Sequence, residues 1–421
     1  MDQFVFDAKK RWVLGGGMIL GLLCLIITFF VDDQFHTRFW TNYLHNSVFF
    51  TGIAFISLFI IAAFTTALAG WSTLIKRIWE AYSLFMIPGL ILMLVIVAGV
   101  WGHWHHLYHW ADTAAVKEDQ VLFGKSGFLN KYWYTFGTLI IVGAWIYFAM
   151  QIRKTSVAED SNGPGEDFSY HRRIRTLSVI FLPIAGFSSA AMIWQWVMSL
   201  DAHWYSTLFA WYSAASWFLA AMALTILTVI YLKSQGYLPK VTADHLHDLG
   251  KYLFGISVFW TYLWFSQYML IWYANVGEET IYFRERLDNY KPLFFLNLII
   301  NFVLPFFVLL RNDTKRKIGT MVFVSVAVFL GHWLDFFLMI KPGARITAME
   351  AAAHHAGEAA HHVEHATPFA IGFSFPGILE LGTMIGFLCL FLYIVFTRLT
   401  QASLTPKNDP YLEESLHHEV V

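Results

Sequence analysis

The sequence predicts an all-α integral membrane protein of about ten transmembrane helices, built as two four-helix bundles plus two flanking helices. Three observations carry that expectation. Only 14% of the 421 residues are charged while 57% are apolar, against about 25% charged in soluble domains. Ten apolar runs approach or reach the roughly 20 residues that a helix needs to cross a bilayer. Lysine and arginine alternate from loop to loop, as they do between the two sides of a membrane.

The runs occupy approximately 12–31, 47–69, 84–101, 132–150, 178–198, 206–232, 250–275, 292–310, 318–340 and 376–397, in one polytopic domain covering 1–421. Only the connector 199–205 separates the fifth from the sixth. The first run follows Lys9, Lys10 and Arg11 without a small-residue cleavage site, so it reads as a retained span rather than a signal peptide. It carries Gly15, Gly16, Gly17 and Gly21, and the last two have the small-xxx-small spacing of close helix packing. Span four and span eight open on similar stretches, "NKYWYTF" and "NYKPLFF", and "RRIRTLSVIF" then resembles "KRKIGTMVFV". Spans two to five and six to nine therefore read as two units in the same orientation. The alternative is the likeness that any basic loop ahead of an apolar helix would show.

With ten spans, the N-terminus, the loops after even-numbered spans and the C-terminal tail hold 19 of the 28 basic residues, and the other side holds 9. An odd count would break this asymmetry. Both termini are thus expected in the cytoplasm, with 398–421 as a cytoplasmic tail and 343–366 as a histidine-rich outer loop. A net charge of −1 gives no reason to expect nucleic acid as a partner. The two cysteines, Cys24 and Cys389, sit in the middle of apolar runs. They cannot supply a CxxCH haem attachment, an iron–sulfur ligand set or a disulfide framework. No cofactor is therefore expected on this chain unless it is non-covalent or ligated by histidine.

Histidine is concentrated in two places. "WGHWHHLYHW", 101–110, holds four histidines and three tryptophans at the outer end of span three. On a continued helix, His105 and His109 would share a face, as would His103 and His106. An interfacial belt is the favoured reading, with a quinone-headgroup contact at His103 and His106, or a metal, as the sharper alternatives. The second cluster, "EAAAHHAGEAAHHVEHA", would align His354, Glu358, His361 and His365 along one helical stripe. A solvated surface helix is favoured there over a zinc or copper site.

Charges inside the membrane cost about 2.5–3.5 kcal/mol each on insertion scales, so they need a reason. Span nine contains "GHWLDFF", which puts His332 and Asp335 on one face, with Asp335 roughly 7 Å short of the outer end at about 1.5 Å per residue. Glu380 enters span ten at a similar depth, and Asp201 and His203 sit in the outer connector. Together they are candidates for a proton pathway. Gln195, Gln267, Asn297 and Asn301 read as helix–helix hydrogen-bonding groups. Glu80, beside Lys76 and Arg77 at the inner end of span three, reads as a pathway mouth or a surface ion pair.

The connector "WQWVMSLDAHWYSTLFAWY", together with "FGKSGFLNKYWY" and the ten-span layout, resembles the NrfD-like (polysulfide reductase-type) integral membrane subunits of respiratory complexes. The resemblance covers essentially the whole chain and is closest to the second such subunit of alternative complex III; the generic family usually has eight spans. It implies a subunit of a quinol:electron-acceptor oxidoreductase in a bacterial cell inner membrane, which would make the outer loop periplasmic. Its partners would be a second NrfD-like subunit, an iron–sulfur protein and a multihaem cytochrome c. Iron–sulfur clusters and haem c would reside in those partners, and menaquinol or ubiquinol would be the substrate. Asp201, His203, Tyr205 and Ser206 carry over from the shared motif as proton-pathway candidates. No complete quinol pocket can be traced on this sequence. The alternatives are a proton-coupled secondary transporter and a purely structural anchor.

Overall fold

The computed structural model describes residues 3–355 and 369–420. Ten long helices follow one another: α1 (Ala8–Val31), α2 (Thr37–Thr66), α3 (Lys76–Gly102), α4 (Lys131–Asn162), α5 (Ser169–Trp196), α6 (Leu208–Ser234), α7 (Ala243–Ala274), α8 (Lys291–Leu309), α9 (Ile318–His355) and α10 (Ile378–Leu399). The protein is an all-α integral membrane protein. Among the described residues, nine of these helices are long and apolar enough to cross a bilayer. The exception is α7. It has 32 residues, but Trp260, Tyr262, Trp264, Gln267 and Tyr268 leave it less aliphatic than the others.

The helices form two four-membered rings. In the first, α2 packs on α3, α3 on α4, α4 on α5 and α5 back on α2; in the second, α6, α7, α8 and α9 close in the same cyclic order. The rings share a seam where α2 meets α6 and α9. The crossing windows of α2, α6 and α9 are 78% buried, against 28% for α1, so these three helices form the core. The flanking helices α1 and α10 pair with each other. A Cβ added at Gly21 would lie 2.4 Å from the Gly386 backbone, and one at Gly17 would meet Cys389. Without a hydrophobic drive between helices in lipid, such close approach supplies the packing energy. Gly15 and Gly16 face open space.

Helix ends differ from the apolar runs. The α2 helix starts ten residues before its run, and its first turns bury Thr41, Asn42, His45 and Asn46 against one another and against α9. Residues 343–355, expected in an outer loop, continue α9 through Pro342. The tail beyond 398 is docked on the bundle: Lys76 pairs with Asp409 at 3.0 Å, and Ser415 bonds the Trp71 carbonyl at 2.7 Å. Hydropathy marks the part of a helix that faces hydrocarbon and is blind to polar turns that face protein.

Candidate functional site

The second ring encloses a buried acid. His332 and Asp335 point the same way from α9, as their spacing predicts, with His332 Nδ1 3.9 Å from Asp335 Oδ2. Both are fully buried. Asp335 accepts hydrogen bonds from the Tyr212 hydroxyl on α6, from Trp260 Nε1 on α7 at 3.0 Å and from Asn297 Nδ2 on α8 at 2.7 Å. Asn301 donates to Asn297 at 2.6 Å, and Ser216 bonds His332 Nδ1 at 2.9 Å. All three donors to Asp335 are neutral, and among the described residues no lysine or arginine pairs with it. His332 Nε2 has no hydrogen-bond partner among them either.

Local backbone chemistry delivers these groups. Pro305 cannot donate to the carbonyl four residues back, and α8 widens into a π-turn at Ile299–Val303, a feature often found at functional sites. Asn301 approaches α9 over Gly331, where a Cβ would lie 2.2 Å from its Oδ1.

Towards the end of the bundle opposite the termini lies an ion pair. Arg286, on the short helix Gly277–Asn289 between α7 and α8, holds Asp201 at 3.1 Å and is itself buried. It also donates to the carbonyls of Tyr282 and Leu338, and its guanidinium stacks 3.3 Å from the Tyr282 ring centroid. Asp201 rests on α9 at Gly343, where a Cβ would come within 2.8 Å of its carboxylate. Burial pushes the Asp201 carboxyl up from its ordinary pKa, and Arg286 offsets only part of that rise. A cavity of about 20 Å³, bordered by Arg286, Gln267, Tyr212 and Asn297, has room for one water. It touches the partner of Asp201 and two donors of Asp335, and so lies between the groups that hold the two acids.

Beyond Asp201 the groups reach the surface. His203 bonds Asp119 at 2.5 Å, its ring lies 5.8 Å from that of His109, and His109 pairs with Glu350 at 3.4 Å. Burial opposes ionisation of Asp119, but His203 and two backbone amides hold its pKa below the ordinary value.

Two predicted acids lie elsewhere. Glu380 takes a bidentate pair from Arg38 at 2.7 and 2.9 Å, a bond from Asn42 at 2.9 Å and one from its own helix N-cap at 2.9 Å. Buried Lys341 joins through Thr41 and Asn42 at 2.8 and 2.6 Å. Arg38 therefore holds this carboxylate directly and Lys341 sits one amide away, on the face of α9 that looks away from Asp335. Glu80, near the terminus-bearing end, is clamped by Arg77 at 2.8 Å, Ser156 at 2.7 Å and Arg153 at 3.6 Å; it is a buried ion pair rather than a surface one. Tyr205 and Ser206 line a separate cleft and do not join the acid network.

The histidine-rich stretch after α3 does not stay helical. His103 turns left-handed at φ 53° and ends the helix, so the shared faces expected for His105 with His109 and His103 with His106 do not form. Trp101 and Trp104 are exposed in the manner of a belt, whereas His105, Leu107, Tyr108 and Trp110 fold back into the core. His105 Nε2 donates to the Ile96 carbonyl (3.2 Å), and burial lowers its pKa to about 4. His103 is exposed and His106 rests against Phe35. Among the described residues no group of three His, Cys, Asp or Glu could hold a metal ion. The proposed stripe of His354, Glu358, His361 and His365 lies outside the described side chains.

Sequence reasoning missed Arg286, Tyr212, Trp260, Arg38 and Lys341. No protein-family model matches the chain, and no curated protein matches it at a significant level.

Proposed function

We propose that this chain is a membrane subunit of a quinol:electron-acceptor oxidoreductase of the alternative complex III type, and that its second helix ring conducts protons. The observation that carries the proton role is Asp335: a buried carboxylate held, among the described residues, by neutral donors alone, one water-sized cavity from the Arg286–Asp201 pair. A charge at such depth is expensive unless it has work to do, and among the described residues no lysine or arginine pairs with this one.

The route runs from the His203–Asp119 and His109–Glu350 pairs at the rim to Asp201, through the water cavity to Asp335, and on to His332 and Ser216. Arg286 keeps its proton and acts by positioning Asp201. Tyr212 and Asn297 can reorient their hydrogen bonds as Asp335 gains or loses a proton. Glu380 and Glu80 serve as ion-pair clamps that hold helices together. The electron carriers, haem c and iron–sulfur clusters, belong to partner subunits: a second NrfD-like subunit, an iron–sulfur protein and a multihaem cytochrome c. Menaquinol or ubiquinol is the substrate of the assembly, in a bacterial inner membrane with both termini of this chain cytoplasmic.

Purification from native membranes tests the assembly: haem-bearing partners should accompany the chain, and their absence under mild solubilisation would remove the respiratory reading. Reconstitution in vesicles tests the route. Asp335→Asn should lower proton release per quinol oxidised in a fully assembled complex. An unchanged proton yield would exclude Asp335 from the path. His103 and His106 lie apart from the acid network, so replacing them should leave quinol affinity intact.

A further inference from the structure

Among the ten long helices of the described residues, α7 alone falls short of the apolarity that a bilayer-crossing helix needs. Its inward face explains part of the shortfall, since Trp260 donates to Asp335 and Gln267 is buried. The rest lies on its outward face. Packing against α6 and α8 leaves Gly255, Phe259, Tyr262, Ser266, Met269 and Tyr273 exposed or half-buried. These residues follow one another at intervals of 4, 3, 4, 3 and 4, which is the 3.5-residue repeat of a left-handed helix–helix seam.

Tyr262 carries a hydroxyl to a depth where lipid has nothing to offer it. The residue is 64% exposed, and its hydroxyl has no hydrogen-bond partner among the described residues. Its near neighbour Trp260 bonds the buried Asp335. Ala274, the outer end of α7, lies about 18 Å further along the helix at about 1.5 Å per residue. Tyr262 is therefore among acyl chains, which accept no hydrogen bond, and not at the headgroup level where tyrosine rings collect. Ser266, one turn further out, also has no hydrogen-bond partner among the described residues. Gly255 leaves the inner half of the stripe open, because a Cβ built there meets nothing within 4 Å. Two unmatched hydroxyls and a gap on one seam are the polar and small groups through which membrane helices associate.

We infer that this face is covered by α7 of a second copy of the chain, related by a two-fold axis along the membrane normal. Copies inserted in one orientation bring their α7 helices together parallel and at equal depth. Gly255 then meets Gly255 of the other copy and lets the backbones approach, while each Tyr262 hydroxyl donates to Ser266 Oγ across the seam. The stripe holds both the donor and its acceptor, so a two-fold satisfies each of them twice, and self-complementary pairs of this kind are the commonest oligomers. The seam lies on the side of α7 opposite Trp260. It is independent of the proton route and stands whether or not that proposal holds.

Cross-linking of the full-length chain in native membranes tests the seam. Under copper–phenanthroline oxidation, Gly255→Cys and Ser266→Cys should each link two copies. Ile140→Cys, at a position 68% exposed on α4, should not, and the parent chain with Cys24 and Cys389 sets the background. Purified in mild detergent, the wild type should appear as a dimer by native mass spectrometry. Gly255→Leu adds bulk where its own copy has open space, so it should abolish the dimer while the chain still elutes as a folded monomer. Tyr262→Phe, which keeps the ring and deletes the hydroxyl, should weaken the dimer several-fold. A monomer at every concentration, a dimer indifferent to both substitutions, or linkage of Gly255→Cys to a different chain would each overturn the assignment.

Discussion

Asp335 and Glu380 are both carboxylates buried in the membrane-spanning bundle, and their neighbours give them opposite roles. Glu380 meets Arg38, with Lys341 sharing Asn42; among the described residues the hydrogen-bond donors to Asp335 are a phenol, an indole and an amide. Breaking a buried ion pair strands its partner, at a cost of about 3–5 kcal/mol, whereas an amide in place of Asp335 keeps a hydrogen-bonding group but cannot relay a proton. Glu380→Gln should therefore lower yield and thermal midpoint while each surviving complex turns over normally. Asp335→Asn should do the reverse, and measuring both variants for stability and for turnover separates the roles.

His105 gives a second test at this scale. Its folded pKa is near 4 and its unfolded value near 6.5, so below about 6.5 the unfolded chain binds the proton that the folded chain refuses. Stability from this group is complete above pH 6.5 and is lost as pH falls towards 4, by up to about 3 kcal/mol. Unfolding midpoints of the wild type and of His105→Gln should diverge at pH 7 and converge by pH 4.5. Parallel curves would mean that His105 is protonated without penalty in the fold.

At the scale of elements, the spans were legible because lipid imposes a length and an apolarity on anything that crosses it. The i, i+3 pairing of His332 with Asp335 was legible for a similar reason, since helical geometry fixes it locally. What the sequence hid was pairing across distance. Arg286 lies 85 residues from Asp201 within "EETIYFRERLDN", which reads as a solvated charged helix. Lys341 looked like one more basic residue in a loop, because the continuation of α9 through Pro342 has no signal in hydropathy. Gly343 illustrates the cost of missing that continuation. In a helix interior Gly→Ala normally gains about 1 kcal/mol, but here the new methyl would displace the Asp201 carboxylate. Gly343→Ala should leave the thermal midpoint nearly unchanged and slow proton-coupled turnover several-fold. Wild-type turnover in that variant would show that Asp201 need not sit against α9.

Across the whole molecule, two rings of the same cyclic order carry different interiors. In the first, Trp196 bonds Thr138 at 3.0 Å and Trp145 bonds Ser188 at 2.9 Å, while its charges gather at the terminus-bearing end around Glu80 and the docked tail. The second holds Asp335 deep inside and links it towards the opposite end. An architecture that repeats and a site that does not fit a scaffold in which one ring serves structure and the other conduction. The proton route requires that Asp335 change protonation during turnover. Infrared difference spectroscopy of the reconstituted complex, stepped between its oxidised and reduced states, observes this directly. Proton transfer through Asp335 predicts a carboxylic acid C=O band that shifts in deuterium oxide and is absent in Asp335→Asn but present in Glu380→Gln. A difference spectrum identical in wild type and Asp335→Asn would contradict it.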